Sequence, residues 1–494
     1  MLFPQLVFVY LFLPILLFLY YINKSNSWRR GVLLIFSLLF YAWGEPIYIL
    51  LMLLSAVLNY VFGLFIGAAE TDRGKKIFVI IGVVLNLALL GYYKYTGFVL
   101  ENINAIFGLS IPIPQIALPL GISFYTFQAM TYIIDVYRGN CETQGKFSRV
   151  LLYICLFPQL VAGPIVRYTD VQDQLDDRRV NAAQINNGLW RFTLGLAKKV
   201  LLSNSCSLVC ENLFANSGTT VLGNWCGILF YALQIYFDFS GYSDMAIGLG
   251  HMFGFIFNEN FNYPYIAKNI SDYWRRWHIS MSTWFRDYLF YPVMRSNLVS
   301  EIGKKLRKSG HKSAARAVPT IIALVVVWFS TGLWHGASWN YVLWGLYYGF
   351  WLIMEQFVIH KLIKKTESGI GLVFGRIGFI AITLVGYALF YHEQNLFAQL
   401  GYMFGIGSSG FSDFYVGPAM YSSGLLLIAS LVCVTPVGHT IFEKVRGQLR
   451  AGFGAKDAYA MDRVIKTVII VILLILCTIR MAGNSYAPFI YERF

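Results

Sequence analysis

The sequence predicts an all-α fold, a polytopic bundle of transmembrane helices. Three observations predict it: an apolar composition, apolar stretches long enough to cross a bilayer, and short basic runs between them. Of 494 residues, 57% are hydrophobic and 13% are charged, where an ordinary soluble domain carries about 25% charged residues. A mean hydropathy of +0.58 over the whole chain needs many apolar segments, not one anchor. No polar block of soluble-domain size interrupts them, so residues 1–494 read as one membrane domain. The net charge of +14 lies in short runs between apolar stretches, which argues for topology signals over nucleic-acid binding.

The first apolar run, Leu2–Ile22, has no basic leader before it. Lys24, Arg29 and Arg30 follow it instead, so it reads as an uncleaved first span with the N-terminus outside. Gly31–Trp43 is short, and Glu45-Pro46 breaks it from the next span. Further spans are expected at Pro46–Gly67, Ile77–Tyr93, Leu118–Val136, Val318–Leu333, Trp339–His360, Leu372–Tyr391, Tyr421–Val437 and Val464–Ile479. The basic runs are Arg73, Lys75 and Lys76; Lys146 and Arg149; Arg295, Lys304, Lys305, Arg307, Lys308, Lys312 and Arg316; Lys361, Lys364 and Lys365; and Lys444, Arg446 and Arg450. All fit the cytoplasmic side if the N-terminus is outside, and the C-terminus then also ends outside.

The middle of the chain, from about Leu151 to Tyr291, is apolar but studded with polar residues, among them Gln159, Arg167, Gln234, Asn260 and Asp272. Ionisable groups at membrane depth face a protein interior or a water-filled cavity. This region therefore reads as tilted, short and re-entrant helices around a polar cavity. The seven cysteines include no CxxC pair, and no metal site or disulfide framework is expected.

Three constellations carry chemistry. Trp274-Arg275-Arg276-Trp277-His278-Ile279-Ser280, continuing to Trp284-Phe285-Arg286-Asp287-Tyr288, interleaves aromatics with charges. It reads either as an interfacial helix with snorkelling arginines or as a cavity wall carrying His278. In Gly332-Leu333-Trp334-His335-Gly336, a histidine is hemmed by small residues. It reads either as a hairpin turn whose His caps a carbonyl or as a desolvated, neutral general base. Tyr236-Phe237-Asp238-Phe239-Ser240-Gly241-Tyr242-Ser243-Asp244 places two carboxylates in an apolar stretch. A structural ion-paired network is the expected role, with Arg275, Arg276 and Arg286 the nearest cations in sequence. The other histidines, His251, His311, His360, His392 and His439, read as interfacial or capping groups.

With these motifs the chain resembles the membrane-bound O-acyltransferase (MBOAT) family, in its bacterial alginate O-acetylation branch. The resemblance rests on ordered motifs: Gly121–Gln128 with Tyr132–Arg138, Phe157–Arg167, Gly195–Lys199, Gln234–Gly248, Asn258–Tyr265, Trp274–Tyr288, Gly332–Gly336 with Trp344-Gly345, and the terminal Pro488–Phe494. It implies a ring of tilted helices with re-entrant and interfacial helices around a thin central cavity. N-terminal spans would occupy 1–137, a catalytic core with both histidines 150–360, and C-terminal spans 372–494. His335 matches the family's general base and His278 its second functional histidine. They lie 57 residues apart (335 − 278), so only the fold can bring them together. Trp334, Trp274, Arg275, Arg276, Trp277, Ser280, Asp238, Asp244, Gln128 and Arg286 complete the expected site.

The resemblance further implies an enzyme of the bacterial cytoplasmic membrane with no tightly bound cofactor. Acetyl-CoA or another acyl thioester would donate an acyl group to an extracytoplasmic polysaccharide, directly or through a periplasmic or extracellular partner of the SGNH type. The basic run Lys304–Arg316 either attracts the donor's phosphates or only sets topology. A teichoic-acid D-alanyl transferase fed by an acyl carrier protein is the alternative enzyme; a transporter lined by the buried charges is the alternative class. Two departures bear on acceptor and partner: Phe290-Tyr-Pro-Val-Met-Arg-Ser296 replaces the branch's Tyr-Ile-Pro-Leu-Gly-Gly, and Glu492-Arg493 replaces Phe-Gln in the tail.

Overall fold

The computed structural model describes residues 1–359, 370–451, 455–483 and 489, and every regular element among them is helical. Among the described residues, five helices can cross a membrane by length and composition: Ile49–Ala68, Asp72–Phe107, Lys312–His335, Trp339–Ile359 and Ala460–Gly483. Val416–Ser422 and Gly424–Cys433, bent by 60°, make a sixth if taken as one broken span. Outward faces are apolar, as lipid requires: Val464, Val468, Ile472, Ile475 and Ile479 are all exposed along one helix. This is a multi-pass membrane protein. His360, the Lys361–Lys365 run and most of the Pro488–Phe494 tail lie outside the described residues.

Two expected spans are corrected. Leu118–Val136 is instead a 17-residue helix, Ile122–Arg138, buried along nearly its whole length. It carries Ser123, Thr126, Gln128, Thr131 and Asp135 into the interior. An apolar run looks the same in sequence whether protein or lipid surrounds it; the polar residues mark this one as internal. Leu2–Ile22 shortens to an apolar helix over Phe8–Ile22, below the length of a full crossing, whereas Leu372–Tyr391 lies within the 22-residue helix Ile370–Tyr391.

The chain forms two compact units. The first comprises Met1–Val200, Phe239–Glu259 and Ile470–Arg493; the second comprises Leu201–Asp238 and Asn260–Ile469. In the first unit, Asn59 and Asn86 pair their carboxamides reciprocally between two spans, at 3.0 and 2.9 Å. Each also donates to the carbonyl one turn back, so both buried amides are satisfied without water. Helix Ala182–Ala197 crosses the Val221–Phe253 helix on glycine. A Cβ on Gly195 would stand 2.5 Å from the Gly241 carbonyl oxygen, and one on Gly188 2.6 Å from that of Gly248. Flanking this crossing, Arg191 bridges Asp244 (3.0 Å) and Glu259, and Lys198 reaches Asp244 at 2.6 Å.

In the second unit, the basic run forms helix Asn297–Lys308. Its Val299 is buried and its Gly303 packs on Pro319 of the Lys312–His335 helix, while Lys304, Lys305, Arg307 and Lys308 stay exposed. The His335 helix then turns through a short break into helix Trp339–Met354, and the two pack backbone to backbone. A Cβ on Gly345 would lie 2.2 Å from the Trp328 carbonyl oxygen, and one on Gly332 2.4 Å from that of Tyr341.

The glycine crossing in the first unit predicts that Gly195→Ala destabilises by about 1–3 kcal/mol through overpacking, read as a lower thermal unfolding midpoint in detergent. Gly91→Ala, at a position with nothing within 4 Å, leaves that midpoint unchanged.

Candidate active site

Two short helices, Ile270–Arg276 and Ile279–Phe285, are separated by Trp277 and His278. The break is sharp because His278 adopts the left-handed conformation, φ 44° and ψ 55°. For a residue with a side chain that conformation costs energy and persists only when its surroundings hold it. Here Asn260 holds it. Its Oδ1 accepts from the Ser280 backbone N–H at 3.1 Å and from the Ser280 hydroxyl at 2.9 Å, and lies 3.1 Å from His278 Nδ1. The Asn260 carbonyl also accepts from the Ile279 N–H at 2.9 Å. Because Oδ1 can only accept, Nδ1 of His278 carries the proton, and in the neutral ring Nε2 carries the lone pair. Burial pushes the His278 imidazole from its ordinary value of 6.5 down to about 3, so it stays neutral at physiological pH.

His335 is the last residue of helix Lys312–His335 and is buried. Three aromatic rings surround it: Trp334 at 4.8 Å, Trp344 at 4.8 Å and Phe390 at 5.2 Å between centroids. Asn340 ties Phe390 in place by donating its amide to the carbonyls of Leu389 and Phe390 at 3.4 and 3.2 Å. Gly336 has no room for a side chain, since a Cβ would lie 2.3 Å from the Tyr341 ring. The glycines of the Gly-Leu-Trp-His-Gly motif thus serve backbone packing around the histidine. Trp334 also faces His278, with ring centroids 5.8 Å apart. The two histidines, distant in sequence, therefore flank one indole.

Beside them lies a cavity of about 420 Å³, lined by apolar side chains with Arg275, Arg286, Ser282 and Thr283 among them. It follows the His335 helix from Leu324 to Thr331, ending one turn short of the histidine. Trp274 lines it too, and the buried indole Nε1 of Trp274 has no hydrogen-bond partner among the described residues.

The remaining expected residues divide. Trp277 is buried among Tyr236, Phe261 and Tyr273 rings, and Asp238 is buried in the same unit. Arg275 and Arg286 line the cavity. The expected pairing of Arg276 and Arg286 with Asp244 is corrected. Arg276 pairs with Asp272 at 3.0 Å, and Arg286 with Asp287 at 2.8 Å. Asp244 finds its partners in Arg191 and Lys198 of the first unit. Nearness in sequence misled because the partners come from another helix. Gln128, fully buried, also belongs to the first unit, as does the described tail residue Phe489, which packs on Tyr242 and under Lys199. Asn260 was legible only as one polar residue among many: Asn258-Glu-Asn-Phe-Asn262 offers three asparagines, and no spacing rule selects the middle one.

Replacing Asn260 by Ala releases a strained turn and leaves Ser280 and His278 without their common acceptor. The variant loses about 2–3 kcal/mol of stability, read by thermal unfolding. The unfolded chain takes up a proton on His278 near pH 6.5, while the folded chain resists until about pH 3. Stability therefore falls as pH drops through that window. His278→Gln shallows this slope, as unfolding midpoints measured between pH 7 and 4 will show.

Comparison with known proteins gives the family. The model of the membrane-bound O-acyltransferase family matches residues 146–368, which include both histidines. The probable alginate O-acetylase of Azotobacter vinelandii is 34% identical over all of both chains. The peptidoglycan O-acetyltransferase of Helicobacter pylori is 33% identical over 73% of this chain and 71% of its own. The teichoic acid D-alanyltransferase of Bacillus subtilis is 32% identical over 46% of this chain and 56% of its own. With a relative 34% identical over all of both chains and both histidines inside the family match, the chain belongs to the membrane-bound O-acyltransferase family and is an O-acyltransferase.

Proposed function

We propose that this enzyme transfers an acetyl group from a cytoplasmic thioester, acetyl-CoA, to a hydroxyl of an extracytoplasmic polysaccharide, or to a periplasmic partner protein that passes it on. The observation that carries the reading is the convergence of His278 and His335 on Trp334 beside the cavity. The relatives that transfer acetyl by name cover most or all of this chain, whereas the D-alanyl relative covers under half, which favours acetyl.

The donor arm lies along the cavity with its thioester at the Thr331 end. Support comes from the helix that forms one wall. Its opposite end carries Lys312 and Arg316 beside the exposed Lys304, Lys305, Arg307 and Lys308. Nineteen residues separate Arg316 from His335, about 28 Å of helix axis. A thioester at His335 would thus leave its phosphates near the cationic end, with Arg275 and Arg286 along the way.

His335 takes the proton from the acceptor hydroxyl as its oxygen attacks the thioester carbonyl carbon. A carbon–oxygen bond forms, the carbon–sulfur bond breaks, and the proton passes to the departing thiolate. His278 Nε2, the lone-pair nitrogen of a neutral ring, accepts from a neighbouring hydroxyl of the acceptor and so positions the attacking one. No acyl-enzyme is needed, because the acceptor supplies the nucleophile.

Protein in lipid discs, given radiolabelled acetyl-CoA or a D-alanyl carrier protein together with alginate or a candidate partner, tests this. Acetyl transfer from acetyl-CoA should fall by about 10²–10⁴-fold in His335→Ala, and substantially in His278→Ala. Wild-type rates in His335→Ala, or transfer only from the carrier protein, contradict the proposal.

A further inference from the structure

We infer that Trp328, backed by Trp274, Trp344 and Tyr348, is the residue that limits the donor to a short acyl group. The inference rests on the donor reading above and adds a specificity element to it.

These four rings form one closed cluster. Trp274 and Trp328 lie 4.6 Å apart between centroids, Trp274 and Trp344 5.7 Å, and Trp328 and Trp344 6.2 Å. Tyr348 contacts all three, at 5.0, 5.9 and 5.4 Å. Trp274 and Trp328 line the cavity, and Trp344 touches the His335 ring on its other side. The cluster therefore stands between the cavity end and the histidine's aromatic surround. An acyl carbon within reach of His335 must direct its substituent against this wall.

The wall cannot retreat. Trp328 is seated where two helices touch through glycine: a Cβ on Gly345 would lie 2.2 Å from the Trp328 carbonyl oxygen, and one on Gly349 3.0 Å from its Cβ. Close-packed interiors answer added methylenes with strain rather than adjustment. A methyl group meets the indole faces without displacing them; a longer chain must displace Trp328. One methylene in such a pocket changes selectivity by roughly 10–200-fold. The buried Nε1 of Trp274, without a partner among the described residues, gives the same wall one donor for a carbonyl of the donor arm.

The test measures transfer from acetyl-, butyryl- and hexanoyl-CoA, and affinity for the matching non-transferable thioethers, in wild type, Trp328→Ala and Trp328→Phe. The expected result is a rise of at least tenfold in the hexanoyl-to-acetyl ratio for Trp328→Ala. Trp328→Phe should lie between, and its unfolding midpoint guards against simple loss of fold. A folded Trp328→Ala that binds and transfers acetyl with the wild-type ratio overturns the inference while leaving the acetyl-transfer reading intact. Wild type that neither binds nor transfers any acyl-CoA overturns both.

Discussion

One carboxamide oxygen holds the candidate site together. Asn260 Oδ1 gathers the Ser280 N–H, the Ser280 hydroxyl and His278 Nδ1. Away from water, three donors converging on one acceptor is both a stability requirement and a geometric lock. It keeps His278 in a backbone conformation the residue would not choose alone, and it decides which ring nitrogen bears the proton. The indole of Trp334 then carries this fixed geometry across to His335.

The surrounding architecture serves the same end with little polar chemistry. Glycines let helices meet at backbone distance, so the rings around His335 and the Trp328 cluster are confined by main chain rather than by flexible side chains. A close-packed aromatic shell has two consequences for an acyltransferase. It takes both imidazoles out of water, and it leaves a cavity of about 420 Å³ beside the pair. The exposed cations of helix Asn297–Lys308 sit at the far end of the same helix that presents His335, joining an anion-attracting surface to the site through one rigid element.

Much of this was legible in the residues. The helical membrane class followed from composition, and both histidines stood out because charged or titratable groups in apolar runs demand a reason. What sequence could not separate was protein interior from lipid: Leu118–Val136 has the composition of a span yet is packed on nearly all sides. Nor could it assign ion pairs. Asp244 turned to Arg191 and Lys198, not to the arginines following it, because helix crossing and not chain distance sets proximity. The role of Asn260 stayed hidden for a third reason: it depends on a left-handed turn eighteen residues away, at a histidine whose conformation no local pattern announces.

The account's central claim is that the acyl carbonyl is delivered between two buried imidazoles that share Trp334. The most direct measurement is an experimental structure of the protein in lipid with a non-transferable acetyl-CoA thioether bound. The account predicts the arm along Leu324–Thr331, with the acetyl carbonyl against His335 and its methyl on Trp328. An acyl group lodged elsewhere, or a His335 ring turned out to the lipid tails, would contradict it.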